Sequence, residues 1–102
     1  MGLDILLFEK NNKIMGEVEI TLSIHEEIFN GKIKCNWGDF PYLRKLKNYY
    51  KTNVIFKDSE IKAFLNDLLK FKSFLDERYE GELSSLIKNL DKNVYKIHIM
   101  GD

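Results

Sequence analysis

Glu17, Glu19, Glu26 and Glu27 carry the first chemical signal in this chain: four acids within eleven residues that include no lysine or arginine. On an extended strand Glu17 and Glu19 point the same way, about 7 Å apart. Such a patch suits a basic protein partner and repels nucleic acid. The opposite signal lies at 41–57, where Arg44, Lys45, Lys47, Lys51 and Lys57 occur with no acid among them. Tyr42, Tyr49, Tyr50 and Phe56 interleave with these cations, the pairing of charge and ring that holds single-stranded nucleic acid. On a helix, however, Tyr42, Leu43, Leu46, Tyr49 and Tyr50 share a face, which reads as packing. Nucleic acid is therefore the second reading of this segment.

Nothing in the chain spells out catalysis. Its two histidines, His25 and His98, stand outside any Cys/His or His-x-x-x-His spacing and are expected as ordinary surface or half-buried side chains. Cys35 lies between Lys34 and Asn36 with no histidine within nine residues, so it reads as a small buried hydrophobe rather than a nucleophile. There is no Gly-x-Ser-x-Gly, Gly-x-Gly-x-x-Gly, P-loop or His-Glu-x-x-His. The expectation is a non-enzyme with no metal, no cofactor and no small-molecule substrate. The only tryptophan, Trp37, sits in Cys35-Asn36-Trp37-Gly38-Asp39. With Tyr42 it is a candidate interface anchor, because such rings supply large contact area at low entropic cost. Burial of Trp37 as a loop anchor fits the sequence equally well.

The elements that must position these residues follow from periodicity. Leu3–Phe8 is an almost unbroken apolar run, as in a strand covered on both faces. After the polar turn at 10–13, Ile14, Gly16, Val18, Ile20 and Leu22 alternate with Glu17, Glu19 and Thr21, which predicts a hairpin. Ser23-Ile24-His25-Glu26 has capping-box spacing and predicts a short helix to Asn30, closed by Gly31. Lys32–Gly38 reads as irregular. Asp39-Phe40-Pro41 predicts the start of a basic helix running to Tyr50. Val54–Phe56 fits an edge strand or a loop. Ile61, Phe64, Leu65, Leu68, Phe71 and Leu75 mark the longest helix, which Leu69 and Phe74 widen enough to suggest a second covering layer or self-association. Gly81 is expected to break it, with a second helix over Glu82–Leu90, a turn at 91–93 and a last alternating strand over Val94–Met100 that pairs with the first. The resulting fold class is α+β: one domain over residues 1–102, with a small, mainly antiparallel sheet and helices packed on one side.

Composition bounds the function further. Sixteen basic and sixteen acidic side chains cancel, so no global field steers the chain to nucleic acid or anionic lipid. The apolar run at 3–8 is interrupted by Asp4 and has no cleavage site, unlike a secretory signal. No stretch approaches the roughly 18 apolar residues of a membrane span. A lone cysteine fits a reducing compartment. A soluble cytoplasmic protein is expected.

Three stretches together resemble a known class. Met1-Gly2-Leu3-Asp4-Ile5 opens a hairpin that ends in Thr21-Leu22-Ser23; Phe40-Pro41-Tyr42-Leu43 follows; then comes Ile61 with Phe64-Leu65-Asn66-Asp67-Leu68. Over Met1–Leu69 this is similar to small bacterial immunity proteins of polymorphic and contact-dependent growth inhibition toxin systems. The chain departs from them in Leu46–Lys57, which is basic where theirs is often acidic. The resemblance implies a stoichiometric inhibitor without catalysis that binds a cognate toxin domain. A nuclease toxin, with its basic active site, would attract the acidic face.

Overall fold

The apolar run at the N-terminus is central in the sheet, but it is covered on one face rather than the two expected, because the described helices pack on the Leu3, Ile5 and Leu7 side alone. The computed structural model describes residues 2–30, 33–91 and 93–101. It places β1 (Gly2–Phe8) between β2 (Ile14–Thr21) and β4 (Lys96–Met100), with β3 (Asn53–Lys57) outside β4. All three pairings are antiparallel. The expected pairing of the last strand with the first is present, from Asp4 opposite Met100 to Phe8 opposite Lys96. Gly31, Lys32 and Lys92, on which expected helix-end, loop and turn positions fell, lie outside the described residues.

Residue parity sorts the sheet into two faces. Leu3, Ile5, Leu7, Ile20, Ile97 and Ile99 are buried and join one core with the three helices. These are α1 (Leu22–Phe29), α2 (Ser59–Phe71) and α3 (Glu80–Leu90). The fold is thus α+β, with helices on one side of the sheet. The other face carries Asp4, Leu6, Phe8, His98 and Met100, all half-buried by their neighbours alone. Among the described residues no helix packs over them.

The β1–β2 turn closes through the Glu9 N–H donating to the Lys13 carbonyl at 2.8 Å, with Asn12 at φ 70°. Asparagine tolerates that left-handed conformation better than most residues. Beyond the turn the register shifts between Leu7 and Phe8, so that Phe8 faces Ile14 while Leu7 faces Gly16. One extra residue, Met15, is accommodated there. The shift moves Ile14 out of the apolar side predicted for it, to the face of Phe8, where it is 61% exposed.

Four local expectations are corrected. The first helix is capped two residues earlier than expected, at Thr21: its Oγ accepts from the Ile24 N–H at 3.4 Å and itself donates to Glu82 Oε1 on α3. His25 is buried rather than superficial. The expected basic helix over 41–50 is only a tight turn at Leu43–Leu46. At its start the buried Asp67 carboxylate accepts from the N–H groups of Tyr42 at 2.9 Å and Leu43 at 3.1 Å. At its end Asn48 Oδ1 accepts from the N–H groups of Tyr50 and Lys51, bending the chain toward β3. Finally, Gly81 lies inside α3. The break falls at Leu75–Asp76, where both residues are extended and the Asp76 carboxylate accepts from the Arg78 N–H.

Candidate functional site

The uncovered sheet face is where the sequence-derived acids of β2 project. Glu17 stands opposite Leu6 and Glu19 opposite Asp4, so both side chains leave the sheet on the side away from the helices. Both are exposed. Asp4 adds a third carboxylate that sequence reading did not include. Its placement follows from β1 parity once the hairpin register is known. Neither described ion pair, Lys70–Asp67 nor Lys72–Glu80, involves these three acids.

Across the same face the character changes. Leu6 and Ile55 flank His98 in the middle row, with Met100 beside Asp4 in the next, and Ile55 is 47% exposed. At the turn end Phe8 faces Lys96, whose ammonium lies 4.4 Å from the ring centroid and also donates to Asn12 Oδ1 at 2.8 Å. His98 Nε2 meets Asn53 Oδ1 at 2.6 Å on neighbouring strands. The face therefore runs from acidic at β2, through apolar side chains around His98, to basic at Lys57 and Lys96.

Glu26 and Glu27 sit elsewhere. They ride on α1, whose buried Ile24, His25 and Ile28 belong to the helical layer. Glu26 is exposed and Glu27 half-buried. The four glutamates thus divide between the sheet face and the helix that follows β2. Trp37 stacks against Phe29 at 5.1 Å and Phe71 at 5.5 Å between ring centroids, each pair 18° from parallel. That packing makes it an anchor of its own loop, half-buried. Tyr42 is also half-buried, edge-on to Phe56, with the Lys45 ammonium over its ring.

The aromatics of the basic segment are largely engaged inside the molecule. Phe56 is fully buried and Tyr49 packs edge-on against His25. Tyr50, 73% exposed, is the ring this segment presents outward. Stacking of successive bases needs several open ring faces.

Among the described residues two concavities stand out. One of about 500 Å³ lies where three turns meet and is lined by Glu9, Lys10, Asn11, Asp58, Asn93 and Tyr95. Asp58 there holds φ 48°. The other, about 270 Å³, lies between α2 and α3 beside the exposed Leu69. Among the described residues no group of three His, Cys, Asp or Glu side chains is placed to hold a metal ion. No described helix is long and apolar enough to cross a membrane.

Cys35 is half-buried rather than buried. Burial pushes its thiol above the usual range, and the Asp39 carboxylate adds to the rise. A thiol held protonated in this way is a poor nucleophile at neutral pH.

Asp67 was legible only as part of a helical word, yet it organises the loop that carries Tyr42. Its signal was an acid inside the apolar stripe of α2, three residues after Phe64 and four before Phe71. An acid on a buried helix face must find donors.

No protein family matches the chain, and no curated protein or solved structure matches it.

Proposed function

We propose that this chain is a protein-binding inhibitor of the immunity type, which neutralises a cognate bacterial toxin domain stoichiometrically and without catalysis. The observation that carries the reading is the uncovered sheet face. A four-stranded sheet roofed on one side presents the apolar side chains Leu6, Ile55 and Met100 around His98, flanked by Glu17, Glu19 and Asp4. An apolar patch with a charged rim is the anatomy of a protein interface. The acids give it a sign: a basic surface, such as that around a nuclease active site, is attracted to it. The resemblance over Met1–Leu69 supports the same class. Engagement of Phe56, Tyr49 and Tyr42 within the fold argues against the nucleic-acid reading of 41–57.

The test is co-expression of the tagged chain with the product of the gene immediately upstream. The expected result is a one-to-one complex and rescue of growth from a toxic C-terminal domain. A neighbour that is harmless and does not bind overturns the immunity reading. In that case oligonucleotide binding by the basic segment, read at two salt concentrations, is the next measurement.

A further inference from the structure

We infer that the outer edge of β2 is the element that receives the partner, by pairing with an extended segment that carries lysine or arginine at alternate positions. This rests on the protein-binding reading above and names the chemistry of its partner. β2 is an edge strand of eight residues, and its outward N–H and C=O groups have no ladder partner in the sheet. An open edge of that length is a template for one more strand. The edge is also incompletely dressed: Ile14 and Met15 are 61% and 40% exposed, and Leu22 just beyond the strand is 41% exposed. β3, the other edge, has five residues.

Charge decides what covers the edge. A second copy paired antiparallel about Val18 would set Glu17 directly opposite the copy's Glu19, and like charges opposite one another destabilise a ladder. Self-pairing in that register is therefore disfavoured by the residues that invite a cationic strand. In a foreign strand, basic residues at alternate positions would stand beside Glu17 and Glu19 on the uncovered face. The intervening residues would fall on the helical side, beside the half-buried Val18. There, valine or threonine would extend the core edge. Backbone pairing supplies affinity, and the alternating cations supply register and selectivity.

The experiment uses the intact chain, isotope-labelled, and a short peptide alternating lysine with valine or threonine, titrated at low salt. The expected result is amide shifts and exchange protection centred on Ile14–Thr21. Binding should weaken about tenfold in the Glu17→Gln/Glu19→Gln double variant, as expected for two exposed ion pairs. A second peptide of the same sequence with every backbone N–H methylated keeps the charge, cannot donate to the ladder in either strand direction, and is expected not to bind. Equal binding of the methylated peptide, or perturbation centred on Asn53–Lys57, overturns the inference. The peptide titration needs no toxin, so its failure removes the edge pairing while the immunity reading still stands or falls on co-expression.

Discussion

The Nε2 nitrogen of His25 lies 2.7 Å from the carbonyl oxygen of Leu46, and both residues are 1% exposed. In this geometry the nitrogen carries the proton and the carbonyl accepts. The contact ties α1 to the tight turn at Leu43–Leu46, joining two segments that share no secondary structure. The ring also packs on Phe29 and Tyr49, at 4.7 and 5.3 Å between centroids. Its Nδ1 has no hydrogen-bond partner among the described residues. Replacing His25 by phenylalanine keeps the ring volume and strands the Leu46 carbonyl, which is expected to cost about 1–3 kcal/mol. Urea unfolding checks this; a loss within the error of the wild type would mean the carbonyl finds water instead.

Asp67 does for the next segment what His25 does for this one. Its carboxylate is 3% exposed and accepts two backbone N–H groups, from Tyr42 and Leu43. Lys70 lies 3.9 Å away, is about half exposed and donates instead to the Asp39 carbonyl at 2.9 Å, so the backbone donors dominate. Asp67→Ala leaves both donors buried without a partner and is expected to cost about 2–4 kcal/mol. Asp67→Asn keeps a neutral acceptor and should recover about half of that. Hydrogen exchange at Tyr42 and Leu43 separates the local effect from global unfolding: in Asp67→Asn these amides should exchange faster while those of β1 do not.

These two contacts also mark where the sequence stops being readable. The strands were legible because parity on β1, β2 and β4 maps directly onto burial, and α2 and α3 because a helical stripe does the same. The segment at 41–50 has the composition of a helix, but Asp67 and Asn48 capture its N–H groups from outside the local window. His25 is buried because that captured loop, not α1 itself, covers it. On the candidate site, Glu17 and Glu19 were placed correctly relative to each other by alternation alone. That Asp4 joins them, and that Glu26 and Glu27 do not lie on the same strand, required the register and the chain reversal into α1.

The glycines separate close approach from mere permissiveness. A Cβ on Gly101 would run into the Tyr49 carbonyl oxygen, whereas one on Gly81 meets nothing within 4 Å. Gly81 sits in the first turn of α3 without positive φ. Gly81→Ala is therefore expected to stabilise the protein, by up to about 1 kcal/mol. Gly101→Ala must displace backbone and is expected to cost about 1–3 kcal/mol. Thermal unfolding of the two variants should move in opposite directions; a destabilised Gly81→Ala would show that α3 needs that position free.

Cys35 offers a pH test with a definite sign. Burial first, and the Asp39 carboxylate second, hold its proton to higher pH than in an ordinary cysteine. The thiolate fraction at neutral pH is thus lower in the folded protein than in the unfolded chain. Reaction with a disulfide reagent should rise at higher pH for native protein than for protein in urea, and Asp39→Asn should close only part of the gap. Between the two pKa values the unfolded chain releases the proton first, so stability falls as pH rises through that window. Below the window Cys35 adds no pH dependence. A native reaction profile at or below that of the unfolded chain would contradict the assignment.

Asp4 stands directly opposite Glu19 on the uncovered face, with Glu17 two residues along. A like-charge pair at this position opposes folding by a few tenths of a kcal/mol up to about 1 kcal/mol. Asp4→Asn keeps the shape and removes the repulsion, so it is expected to raise stability by that amount at low salt. Because the pair is at the surface, the gain should shrink in high salt, as the screening length falls below the separation of the groups. The same substitution removes one of three carboxylates available to a cationic partner, so affinity for the lysine-bearing peptide should fall while stability rises. Opposite signs in the two measurements are what a charge kept for binding produces. If Asp4→Asn lowered both, Asp4 would be supporting the strand rather than serving the interface. If it changed neither, the acidic face would reduce to Glu17 and Glu19.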